Sequence, residues 1–187
     1  MKKYSVLFLL SVALLSCSPK QDESAKQEAA ATPAVDIDAR LKELNIQLVE
    51  PSVPTANFVK TVRVGNLVYT SGHGPDRAEG GPLTGRVGDD LTLEQGQEAA
   101  RLTGVALLSS LKKEIGDLGK VKRVVKVLGM VQCTPEFKDQ PKVMNAFSDM
   151  MVDIFGEKGK HARSAVGMSA LPGNIAIEIE MIVEVED

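Results

Sequence analysis

The chain has no tryptophan, and its two tyrosines and five phenylalanines make up only 4% of 187 residues. So few rings leave little to stack bases on, which argues against a single-stranded nucleic-acid platform. Neither sign of charge is in large excess. Against 25 acids stand 22 lysines and arginines, a net charge of −3 with a pI near 5.5. A phosphate backbone calls for a basic surface, so no nucleic-acid partner is expected. Cysteine is confined to Cys17 and Cys133, and histidine to two positions. Without paired-cysteine spacing or a histidine cluster, no metal site is expected. No apolar run is long enough to cross a bilayer as a helix. What remains, 43% hydrophobic and 25% charged residues, suffices for one domain with its own core.

The longest apolar run, Val6 to Leu15, follows Lys2 and Lys3 and has the length of a signal-peptide core. It ends in Leu14-Leu15-Ser16-Cys17, which resembles a lipoprotein cleavage box with Cys17 as the lipidated residue. Residues 1–16 are therefore expected to be a lipoprotein signal peptide. The protein would be exported and tethered to a bacterial membrane through acyl chains on Cys17, facing the periplasm or cell exterior. Cys133 is then the only other thiol, so the fold must stand without an intrachain disulfide. Residues 17–45 read as a flexible tether, polar and alanine-rich, ending in a short helix with Asp38 as N-cap and Leu41 and Leu44 on one face. The globular domain is expected over 46–187.

That domain opens with two β-rich runs joined by Gly65-Asn66, the spacing of a tight hairpin. A glycine- and proline-dense loop follows, up to Thr92, which forms a capping box with Gln95. Leu102, Val105, Leu108, Leu111 and Ile115 then recur at helical spacing until Gly116. The stretch 121–133 is apolar on both faces, as at a sheet centre. Pro141 suits the start of a second helix with Val143, Phe147, Met150, Met151 and Ile154 as its buried stripe. Two final strands flank Leu171-Pro172-Gly173. The last alternates isoleucine, methionine and valine with Glu178, Glu180, Glu184 and Glu186. The order β-β-α-β-α-β-β predicts a two-layer α+β domain, with two helices over one face of a mixed sheet. The other face would carry Glu178 and Glu180 beside Leu128, Met130 and Ile182. It is too apolar for open solvent, and self-association is expected.

Three motifs in this order, "VGNLVYTSGHGP" (64–75), "ARSAVGMSALPG" (162–173) and "IAIEIEMI" (175–182), resemble the YjgF/RidA family, also called Rid proteins or L-PSP endoribonucleases. The resemblance runs from about Pro51 to Asp187. It implies a chorismate-mutase-like fold, a homotrimer with sites in clefts between subunits, and no cofactor. It further implies hydrolysis of reactive enamines and imines, such as 2-aminoacrylate, to a 2-keto acid and ammonia. On this resemblance Arg163 binds the substrate carboxylate, and Glu178, fifteen residues on, holds the attacking water. Ser71 and Gly72 shape the cleft floor, and Asn145 reaches toward it. Phe58 stands where active members often carry tyrosine, and Ala165 where many carry cysteine, so the pocket keeps its clamp but changes its polar lining.

Read without the resemblance, an arginine near acidic strand residues is more often a structural ion pair, and Glu178 is a solvated or subunit-contact residue. His73, between glycines, has no nucleophile motif to support a catalytic role and reads as a loop residue. His161 has still less. Two functions follow: a Rid-type enamine/imine deaminase, or a non-catalytic trimeric binding protein for small carboxylates. A nuclease, suggested only by the older family label, conflicts with the charge balance.

Overall fold

The computed structural model describes residues 36–77 and 81–186. Cys17, the expected signal peptide and most of the expected tether lie outside the described residues. The short helix does not belong to a tether. Helix α1, Ile37–Glu43, is capped by Asp36, whose carboxylate accepts from the Ala39 amide at 3.0 Å. Asp38 is therefore inside the first turn, not at the cap. The reason is phase: Ile37 and Leu41, four apart, are both buried in the main core, so the helix must already include Ile37. The globular unit accordingly starts well ahead of residue 46.

Strands β1 (Thr61–Val64) and β2 (Leu67–Thr70) form the expected hairpin, with Val64 opposite Leu67. Gly65 takes φ of 59° while Asn66 stays at negative φ, the pattern of a II′ turn, which glycine alone adopts without strain. Helix α2, Leu93–Ile115, begins at the Thr92/Gln95 capping box and ends at Gly116. Strand β3 spans Val121–Gln132, helix α3 Gln140–Phe155, strand β4 Ala162–Met168 and strand β5 Ile177–Val185. The sheet order is β1-β2-β5-β3-β4, antiparallel except for the β3–β4 pair. This is the two-layer α+β domain expected, with one difference of position. β5 holds the centre, and β3 lies between it and the edge strand β4.

Helices α2 and α3 pack against each other and cover one sheet face, α2 over β5 and α3 over β4 and β3. Val68, Val127, Val131, Ile177, Ile179 and Val183 are fully buried beneath them. The α3 stripe predicted from spacing is buried throughout. On α2 the prediction is half met. Leu108, Leu111 and Ile115 are buried, but Leu102 and Val105 turn toward the Leu44–Val49 segment, and Ala99, Ala100, Thr103 and Leu107 take the inner positions. Small side chains there let the helix approach its neighbours closely, a packing that a hydrophobicity count misses. Leu107 is wholly buried in this layer. Leu107→Ala should cost about 2–5 kcal/mol, read as a lower urea midpoint at unchanged slope.

The opposite face of the sheet carries Val62, Val64, Tyr69 and Val166, all exposed, around the half-buried Leu128, Met130 and Ile182.

Candidate active site

Arg163 sits on the edge strand β4, directly opposite Val127 of β3. Val127 faces the helices and is fully buried, so the shared pleat aims Arg163 the same way, beneath α3. Asn145 and Ser148, three residues apart on α3, lie on one flank of that helix and meet it. Asn145 Oδ1 accepts from Nη1 and Nη2, each at 3.1 Å, and Ser148 Oγ accepts from Nη1 at 2.9 Å. These bonds engage the end of the guanidinium and its inner side. Among the described residues nothing bonds the edge formed by Nε–H and the second Nη2–H, whose two parallel donors match a carboxylate. Among the described residues, no carboxylate pairs with Arg163. The ion-pair reading therefore finds no partner within this part of the chain, and the guanidinium is held by neutral acceptors.

His161 lies behind Ser148. Its Nε2 is 3.0 Å from Ser148 Oγ, its Nδ1 is 2.7 Å from the Gly159 carbonyl, and its ring meets Phe147 edge-on. Burial holds its pKa below the ordinary value, and the Arg163 charge adds to that, against the opposing Gly159 bond.

Glu178 occupies a different place. It pairs with Met130 on β3 and projects from the open face of the sheet, away from the helices. Gly72 lies against it so closely that a Cβ there would fall 1.9 Å from Glu178 Oε1 and 2.6 Å from its Cδ. Ser71 is tied to β1, its amide donating to the Lys60 carbonyl at 3.0 Å. Partial burial raises the Glu178 pKa, and the like charge of Glu180 adds to the rise, with Lys60 opposing. Such a carboxyl takes and gives up a proton nearer to neutrality than an exposed one.

His73 is not a surface loop residue. Its backbone pairs with Ile179, and its ring is buried, with Nδ1 2.8 Å from the Ser71 carbonyl and Nε2 2.8 Å from Ser110 Oγ. A carbonyl can only accept, so Nδ1 carries the proton and Nε2 accepts from Ser110. Burial depresses its pKa from 6.5. The stability this neutral ring contributes is complete above pH about 6.5 and is lost as pH falls through the depressed folded value. Melting temperature should therefore drop as pH falls below about 6.5, more steeply in the parent than in His73→Gln.

The candidate residues thus form two groups. Arg163 and Asn145 meet under α3, and Ala165 lies on the same face of β4 two residues along, opposite Gly129 and packed against the core. Glu178, Gly72 and Ser71 gather on the other side of the molecule. Phe58 is exposed ahead of β1, at the far edge of the sheet. The strands bearing Arg163 and Glu178 are two spacings apart, about 10 Å, and the side chains leave opposite faces. Ser148 and His161, which hold Arg163, were not among the expected site residues. Among the described residues, no cluster of three or more metal-ligating side chains converges.

The family model described as "YjgF/chorismate mutase-like, putative endoribonuclease" matches residues 38–185. The chain belongs to the YjgF/chorismate mutase-like family. Protein TCP17 of Trypanosoma cruzi is 39% identical over 152 residues, covering 81% of this chain and 95% of its own. A 2-iminobutanoate/2-iminopropanoate deaminase of Dermatophagoides farinae is 32% identical over 135 residues, covering 71% and 89%. The crystal structure of an Agrobacterium tumefaciens protein of unknown function matches at a TM-score of 0.75 and 41% identity, over 82% and 96% of the two chains. The YjgF-like match includes α1, in keeping with its place in the core.

Proposed function

We propose that this YjgF-family chain is a Rid-type deaminase that hydrolyses short 2-imino acids and their enamine tautomers to 2-keto acids and ammonia. The observation that carries the reading is Arg163: a guanidinium held from behind by neutral groups, with a carboxylate-matching edge left over. Family membership and a relative named as an imino-acid deaminase support it.

In the proposed reaction Arg163 fixes the substrate carboxylate through two parallel hydrogen bonds. Glu178 takes a proton from water as the water oxygen bonds to the imine carbon, and passes it to the imine nitrogen to give the neutral carbinolamine. The carbinolamine then collapses: Glu178 carries the hydroxyl proton to the amine nitrogen, the C–N bond breaks, the carbonyl forms and ammonia leaves. Positioning and proton transfer suffice, and no cofactor enters the proposal. Because Arg163 and Glu178 leave opposite faces of one chain, the proposal requires a second copy to complete each cleft. The apolar face around Tyr69, Leu128 and Ile182 would close a homotrimer. Phe58 and Ala165 would line the cleft beside the reacting atoms. Export and a tether through Cys17 remain part of the proposal. A nuclease is disfavoured by the acidic balance and the scarcity of aromatic residues.

A non-catalytic carboxylate-binding trimer shares the Arg163 clamp but not turnover. Generating 2-aminoacrylate in situ and following its decay separates the two. Acceleration that vanishes in Arg163→Ala supports the deaminase. No acceleration, with keto acids still held by the parent and not by the variant, supports the binding protein.

A further inference from the structure

We propose that Ser148 and His161 are positioning residues for Arg163, a two-step relay that locks the guanidinium so that its outer edge is presented to a carboxylate. This rests on the clamp reading of Arg163 given above.

The direction of the relay follows from its far end. The Gly159 carbonyl, 2.7 Å from His161 Nδ1, can only accept, so Nδ1 bears a proton. In the neutral ring Nε2 is then an acceptor. Ser148 is its neighbour at 3.0 Å, so the serine hydroxyl must donate to it. That commitment turns the oxygen lone pairs of Ser148 toward Arg163, whose Nη1 donates at 2.9 Å. The chain of donors runs Arg163 to Ser148 to His161 to Gly159, with no choice of direction at any step. Burial of the imidazole keeps it neutral and preserves this order. The ring is itself fixed, edge-on to the fully buried Phe147 with centroids 6.0 Å apart.

The relay and Asn145 divide the work. Asn145 takes one proton from each Nη and aligns the end of the fork. Ser148 takes the inner Nη1 proton and sets the rotation of the guanidinium plane. An arginine side chain free to swing would lose rotamer entropy when it gripped a ligand, and holding it beforehand removes that cost. Neither Ser148 nor His161 lies on the free edge, so neither would touch the ligand.

The test is a double-mutant cycle on the full chain. It measures the Kd of 2-oxobutanoate by calorimetry, and KM and kcat in the enamine-decay assay. Ser148→Ala should weaken keto-acid binding by roughly 10–150-fold, the range for one hydrogen bond to a charged group. It should raise KM far more than it lowers kcat. His161→Phe, which keeps the ring and removes both nitrogens, should weaken binding in the same direction. The double variant should be no worse than Ser148→Ala alone, because His161 acts only through the serine. His161→Gln, whose amide oxygen can accept from Ser148, should recover most of the loss. Additive losses, or no recovery by glutamine, would overturn the relay. So would unchanged binding in Ser148→Ala, which removes a single atom and serves even where a His161 variant fails to fold. Arg163→Ala separates the levels. Should it bind keto acid as well as the parent, the clamp falls and the relay with it. Should it alone lose binding, the clamp stands and the relay falls.

Discussion

Arg163→Ala should lower kcat/KM for a short 2-imino acid by about 10²–10⁴-fold while leaving the melting temperature almost unchanged. Two hydrogen bonds from a charged donor to a carboxylate contribute about 1.5–3 kcal/mol each, and both vanish with the side chain. The fold loses little, because the guanidinium is half-exposed and, among the described residues, bonded to Asn145 and Ser148 alone. A structural ion pair would behave in the opposite way: stability would fall and its partner would be left stranded. Arg163→Lys sharpens the test. It restores the charge without the planar fork, and should recover only about tenfold of the loss. Steady-state kinetics beside thermal melts on the three proteins decide the matter.

Gly72→Ala should be nearly as damaging, at about 10²-fold in rate, though it adds one methyl group and removes nothing. That methyl would stand 1.9 Å from Glu178 Oε1, 2.6 Å from Cδ and 2.8 Å from Cγ. The whole carboxyl must therefore swing aside, and a displacement of about 1 Å in a proton-transferring group is enough to cost two orders of magnitude. Stability should hold, since Glu178 is only half-buried. The variant should match Glu178→Gln in rate, and the double variant should be no slower than either. A Gly72→Ala protein with full activity would remove Glu178 from the mechanism. The raised pKa of Glu178 adds a signature: the ionised form that accepts the water proton is lost as pH falls through a value above 4.5. The acidic limb of the parent's rate profile should sit correspondingly high and disappear in Glu178→Gln.

Much of the architecture is legible wherever local chemistry alone decides it. The Thr92/Gln95 box, the Gly65-Asn66 turn, the α3 stripe and the alternation of β5 each depend on residues a few positions apart. Sheet order is another matter, because the central place of β5 depends on pairings with distant β2 and β3. On α2, Thr103 and Ser109 donate to carbonyls one turn back, and Ser110 satisfies His73. Buried hydroxyls bonded in this way blur the apolar stripe and draw Leu102 and Val105 into it. The burial of His73 follows from a backbone pairing with Ile179, which a glycine-flanked loop sequence gives no reason to expect.

The site divides along the same line. The family resemblance singles out Arg163 and Glu178, yet it carries no information on which face each leaves, since that depends on the registers of β4 and β5 against β3. Ser148 and His161 belong to segments joined only by the return of the chain from α3 to β4. Asn145 and Ser148, three apart on one helix flank, are the local signal that two polar groups share a target. The target itself lies on another element.

The placement of Arg163 and Glu178 on opposite faces also has a genetic meaning. In the proposed assembly each cleft takes its cation from one chain and its carboxylate from the next. A chain dead for want of Arg163 still carries a sound Glu178, and a chain dead at Glu178 still carries a sound arginine. Mixed within one trimer, the two defective products would rebuild some intact clefts. Two alleles, each inactive alone, would complement one another.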